Sequence, residues 1–117
     1  MRGNAVSVWV ANFGGHSVSQ IDPKTNAVEA TIKVRGNPNT IVGRGSDVWA
    51  GDQDGAVVRI DAKSNSIVAR TEVVFGLTGM AISGNSLRVA DMITVVLLRI
   101  DLGSNALEAA WRLAKVP

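Results

Sequence analysis

Three stretches of this chain repeat one another at offsets of 39 or 40 residues, and that spacing limits the fold more than any other feature. Val8-Trp9-Val10-Ala11-Asn12 matches Val48-Trp49-Ala50-Gly51-Asp52 and then Leu87-Arg88-Val89-Ala90-Asp91. Further on, Ile21-Asp22-Pro23-Lys24-Thr25-Asn26 matches Ile60-Asp61-Ala62-Lys63-Ser64-Asn65 and Ile100-Asp101-Leu102-Gly103-Ser104-Asn105. A fixed period of this length marks repeated supersecondary units, each too small to bury its own apolar surface alone. The units run over about 1–38, 39–76 and 77–117 of a single repeat domain.

Each unit reads as a series of short strands. After the Ile-Asp turn the residues alternate with a period of two. Val28, Ala30, Ile32 and Val34 are expected on one face, with Glu29, Thr31 and Lys33 on the other. Ile67, Ala69, Thr71 and Val73 oppose Arg70 and Glu72, and Leu107, Ala109, Trp111 and Leu113 oppose Glu108 and Arg112. Half-buried strands give that pattern. Residues 106–113 are also rich in helix formers, and only the repeat frame favours strand there.

The turns use the expected chemistry. An Asp at position 22, 61 or 101 can accept a backbone N–H two residues on, and Pro23 presets φ. Asn26, Asn65 and Asn105 tolerate the left-handed conformation that closes such a turn. Turn building alone requires these residue types, so they carry no catalytic signal. The resulting frame places strand A at about 40–43 and 79–83, and strand B at about 6–11, 47–51 and 86–90. Strand C falls at about 17–22, 56–61 and 95–101, and strand D at about 27–34, 66–73 and 106–114. Four antiparallel strands in about 40 residues is the size of one propeller blade.

The wording of the repeat resembles a YVTN-type β-propeller repeat, in a group that includes the streptogramin (virginiamycin B) lyases. Val8 to Asn12, Val18 to Val28 and Gly36-Asn37-Pro38-Asn39 carry the likeness, which is strongest in the first unit and weakest in the third. The resemblance implies an all-β partial propeller of about three four-stranded blades, the first lacking its innermost strand. A closed ring normally has four to eight blades. Three would leave apolar faces and strand edges bare, which soluble proteins avoid. Homodimerisation into a six-bladed ring is therefore expected. A β-trefoil-like monomer is the alternative. The run Met92 to Leu98 lacks the Gly of the equivalent turns, which fits either a covering partner or drift of the repeat.

Composition narrows the function. Hydrophobic residues make up 46% and charged residues 19% of 117, which argues against disorder. Twelve Lys and Arg are scattered and the net charge is only +2, so no nucleic-acid partner is expected. With no cysteine, disulfides, zinc–thiolate sites and thiol catalysis drop out. No signal peptide is read at Met1 to Ala5, and no apolar run reaches the ~20 residues of a membrane-spanning helix, so a soluble chain is expected. Relatives in the resembled group are often exported, and the compartment stays open.

In an up-and-down blade the B–C and D–A connections share one end. That end is expected to gather Asn12, Phe13, His16, Asp52, Asp54, Asp91 and the loop 35–39, with Asn12, His16, Arg35, Asn37, Asp52, Asp54 and Asp91 as candidate ligand-binding residues, since loops on a rigid scaffold carry most binding sites. His16 is the only histidine, the residue type most often used as a general acid or base. The lyases in the resembled group use a histidine and a glutamate on one propeller face. Here Glu29, Glu72 and Glu108 fall on the outer strand, so no catalytic residue carries over. Asp52-Gln53-Asp54-Gly55 lacks the distal Glu of a calcium loop and reads as a turn. Trp9 and Trp49 share one position, occupied in the third unit by Arg88; packing between blades accounts for them, with a stacking platform for a sugar as the alternative. No Ser-His-Asp set, phosphate loop or paired-carboxylate motif is present, and no metal or cofactor is expected. The reading is a non-enzymatic binding scaffold. A lyase, or a truncated propeller fragment without independent function, is the alternative.

Overall fold

The turns decide how the strands are cut. In a computed structural model, which describes residues 7–73, 77–91 and 96–112, each Ile-Asp turn closes as its chemistry dictates. The Asp22 carboxylate accepts Lys24 N–H at 3.0 Å, and Asn26 N–H returns to Asp22 O at 2.7 Å with Asn26 at φ 59°. Asp61 holds Lys63 N–H at 3.2 Å, with Asn65 at φ 56°. Asp101 takes Ser104 N–H at 2.8 Å, with Asn105 at φ 61°. The A–B turns place Gly45 (φ 63°) and Gly84 (φ 59°) first of two residues, the position where a type II′ hairpin demands positive φ.

Eleven strands follow among the described residues. β1 (Val8–Asn12), β2 (Ser17–Asp22) and β3 (Ala27–Lys33) form a three-stranded sheet. β4 (Pro38–Arg44), β5 (Asp47–Asp52), β6 (Ala56–Asp61) and β7 (Ser66–Glu72) form a second sheet. β8 (Leu77–Ser83), β9 (Ser86–Asp91), β10 (Val96–Asp101) and β11 (Leu107–Arg112) form a third. All neighbours are antiparallel and consecutive in sequence, so each sheet is a simple meander. Over the described residues the four-strand frame expected from the repeat is the one observed, and residues 107–112 are strand, not helix; residues 6, 95 and 113–114 of the expected strands lie outside the described residues. A trefoil would need strands of different units to pair into one barrel, whereas every pairing here stays inside its own sheet.

The sheets stack face to face, because each strand has an apolar side that only a neighbouring sheet can cover. Val18, Ile32 and Val34 of the first sheet meet Val48, Ala50, Val58 and Ile60 of the second. The opposite side of the second sheet, with Trp49 and Val57, meets Leu87, Val89, Leu98, Ile100 and Leu102 of the third. β5 is therefore covered on both sides, and Val48 and Trp49 are 1% and 2% exposed although they point in opposite directions.

One expectation about the outer strands needs correction. A bulge recurs at the same place in every C–D pair, between Gln20 and Ile21, Arg59 and Ile60, and Arg99 and Ile100. An extra residue on one strand reverses which side the following residues face. Val28 therefore pairs with Ile21 and lies apart from Ala30 and Ile32; it is 60% exposed, while Ile32 is 7% exposed. Ile67 and Leu107 occupy the matching positions and are exposed as well. Strict alternation along the whole of strand D does not hold.

A polar clamp fastens the second sheet to the third. The Arg59 guanidinium stacks on Trp49 at 5.1 Å and forms an ion pair with Asp47 at 3.0 Å. Its Nη1 also crosses the junction, donating to Leu102 O at 2.6 Å and Asn105 Oδ1 at 2.9 Å in the next sheet's turn. Thr71 Oγ1 donates to Asn105 O at 2.7 Å beside it. Asp47 orients the guanidinium fork, and the left-handed Asn105 presents its oxygen to it.

Candidate functional site

Three connections meet at one end of the first two sheets. After β1 the chain makes a single 3₁₀ turn, Phe13–Gly15, and exits through His16 at φ 52°. His16 O accepts Val34 N–H at 2.8 Å, which ties the end of β3 to this turn. In the second sheet Gly55 (φ 109°) does the same through Val73 N–H at 2.7 Å. A histidine thus stands where the second unit uses glycine, in a backbone region that costs a side chain of order 1–3 kcal/mol.

The His16 ring makes a further contact. Its Nδ1 lies 2.9 Å from Gly36 O, and because a carbonyl only accepts, Nδ1 carries the proton. Nε2 is then the basic nitrogen of an exposed side chain. Gly36 is buried and borders the Asp52 carboxylate so closely that a methyl group at its α-carbon would land on that carboxylate. Asp52 is 4% exposed and its Oδ1 accepts Asn37 N–H at 3.2 Å and Asp54 N–H at 2.7 Å. Gln53 N–H completes the set by donating to Asn37 O at 3.1 Å.

The sequence-derived candidates divide accordingly. Asp52 is a strut: its carboxylate holds the 36–37 loop against the 52–55 turn. His16, Arg35 and Asp54 are exposed on the loops so joined, and Asn37 is half-buried between them. Phe13 is 49% exposed at the rim. Asn12 belongs elsewhere, since its Nδ2 donates to Ser17 Oγ at 3.0 Å and Ser19 Oγ at 2.8 Å on the outward side of the first sheet. Asp91 ends β9 opposite Val96 and Leu77, and its side chain lies outside the described residues, as do Met92 to Val95. No group of three or more His, Cys, Asp or Glu able to hold a metal occurs among the described residues. Among them, no helix is long and apolar enough to cross a membrane.

Sequence reasoning missed the role of Gly36, which stands out in the sequence only as part of the Gly36-Asn37-Pro38-Asn39 run that carries the repeat likeness. It also missed a cluster on the third sheet, where the guanidinium groups of Arg88 (5.6 Å) and Arg99 (5.7 Å) both lie over the Trp111 ring. The exchange of Trp for Arg at position 88 was visible, but its compensation by a Trp on β11 depends on strand register.

This stack of one three-stranded and two four-stranded meanders has the fold of a partial β-propeller. Similar solved structures include Kuenenia stuttgartiensis hydrazine synthase (TM-score 0.86, 21% identity, 94% of this chain and 33% of that one). Apo AztD from Citrobacter koseri matches with a TM-score of 0.79 at 16% identity, over 94% of this chain and 32% of that one. Saccharomyces cerevisiae Sqt1 matches with a TM-score of 0.76 at 10% identity, over 89% of this chain and 30% of that one. The chain spans about a third of each of these proteins. No protein-family profile and no curated protein matches the sequence.

Proposed function

We propose that the chain is a binding scaffold whose contact surface is the loop end of the first two blades, and that it is not an enzyme. The observation behind this reading is the Gly36 crossing. There His16, the 35–37 loop and the Asp52 turn lock together, giving a rigid base from which Phe13, His16, Arg35 and Asp54 project. An aromatic edge, one cation and one carboxylate suit a partner protein or a small polar ligand with an apolar part. The repeats are assigned to the YVTN and streptogramin-lyase-like group on their wording alone.

Lyase chemistry has less behind it. The Asp52 carboxylate is buried against backbone N–H groups, and the His16 ring is held by a carbonyl, so neither acts as an orienting partner for the other. One of the solved structures of similar fold is a hydrazine synthase, so the fold itself is compatible with enzymes.

A metabolite and glycan binding screen on the purified chain, repeated with His16→Gly and Arg35→Ala, tests the proposal. His16→Gly keeps the left-handed turn and removes only the ring. Ligands that bind the parent chain and are lost in both variants are the expected result. Binding unaffected by either change, or opening of a cyclic depsipeptide by the parent chain, would overturn it.

A further inference from the structure

The clamp between the second and third sheets has a counterpart whose other half is not filled. By strand register Arg99 is to β10 what Arg59 is to β6, since each lies just before the C–D bulge. Arg59 uses its fork fully, on Asp47 and on the neighbouring turn. In the third sheet Ser86 replaces Asp47, and Arg99 Nε is buried without a hydrogen-bond partner. Glu108 lies 3.6 Å from it, within ion-pair range but too far for a hydrogen bond. Trp111, 43% exposed, stands where Thr71 of the second sheet reaches across to Asn105.

The first sheet presents the complement. Val8 and Val10 hold the positions of Val48 and Ala50 in the second sheet and of Leu87 and Val89 in the third. Those four are 1%, 1%, 0% and 0% exposed, whereas Val8 and Val10 are 46% and 36% exposed. The turn Asp22 to Asn26 on the same sheet repeats the conformation of Asp101 to Asn105, with Asn26 at φ 59° against 61° for Asn105. Each exposed end thus carries one half of a junction that already exists, complete, inside the molecule.

From this we infer that the outward side of the third blade docks on the first blade of a second copy of the chain. In that junction Arg99 donates to Pro23 O and Asn26 Oδ1 of the other copy, Trp111 covers the turn, and Val8 and Val10 become core. A head-to-tail contact of this kind, made twice about a twofold axis, closes a six-bladed ring. The inference rests on the fold and register alone, so loss of ligand binding at the loop end would leave it standing.

Mass in solution, measured across a concentration series, is the test. Twice the mass of one chain is expected. Arg99→Ala and Asn26→Gly should each weaken association about 10- to 100-fold, the range for a lost hydrogen bond to a charged group. Asn26→Gly keeps the turn's positive φ and removes only the acceptor. The double variant should weaken association by less than the product of the two singles, because the two groups meet across the contact. Arg59→Ala, inside one copy, should lower folding stability and leave the association constant of the folded chain within about threefold. A folded chain that stays monomeric at every concentration would assign the face to some other protein and overturn the inference. So would a dimer insensitive to both junction variants.

Discussion

The middle blade and the two end blades are built from nearly the same words, yet they sit in different physical environments. Val48 on β5 is 1% exposed and Val8, its counterpart on β1, is 46% exposed. Trp49 is 2% exposed and buried under the third sheet, while Trp111 on the free side of that sheet is 43% exposed. A repeat fixes which residues can be core, but burial needs a neighbour on the right side. The middle blade has two neighbours, and each end blade has one.

That contrast can be broken by paired substitutions. The largest effect is expected at Leu87, which is fully buried between the second and third sheets. Leu87→Ala should cost about 2–5 kcal/mol in urea unfolding, whereas Val8→Ala should cost under about 0.5 kcal/mol in the single chain. Equal losses at the two sites would mean that Val8 is already covered.

Next comes Gly36→Ala, which drives a methyl group into the buried Asp52 carboxylate. A loss of about 2–4 kcal/mol is expected, read as a lower urea midpoint. Adding Asp52→Ala should recover part of that loss, since the clash disappears with the carboxylate. Arg59→Ala follows at about 1.5–3 kcal/mol, because it strips donors from Leu102 O and Asn105 Oδ1 at the closed junction. Arg99→Ala in a dilute, single-chain sample should cost less than half as much. Comparable losses would show that Arg99 already has a partner within one copy.

The smallest effect separates turns rather than faces. Hydrogen bonds from Ser104 backbone and side chain, then Gly103 and Asn85, hold the exposed Asp101 carboxyl below its ordinary value of 3.8. A group with a lowered folded pKa lends stability that is fully present above its unfolded pKa and fades as pH falls through the folded one. The third blade's turn should therefore loosen only below pH 3.8, and Asp101→Asn should flatten that acid-side slope in a pH series of melting curves.

The strand frame was legible in the sequence because it depends on local chemistry. Asp followed four residues later by Asn gives an Asx-anchored turn that closes on a left-handed residue, and it cuts strands C and D at the same place three times. Residues 107–112 show the same logic: their intrinsic preference favoured helix, but the turn before them and pairing with β10 made a strand. The candidate site was only partly legible. His16, Arg35 and Asp54 gather at one end because up-and-down topology requires it. Asp52 looked like one of them until its carboxylate turned out to serve backbone N–H groups across two loops. Asn12 points away from them, onto Ser17 and Ser19.

What the sequence determined by itself is the period, the turns and the four-stranded unit, all set within a few residues by backbone chemistry. The tertiary structure decided facing and partnership. The C–D bulges reverse the side on which Val28, Ile67 and Leu107 fall. Stacking decides that Arg59 reaches a turn 43 and 46 residues away and that Arg99 does not. Those outcomes depend on which surface lies opposite, and no local pattern of residues carries that information.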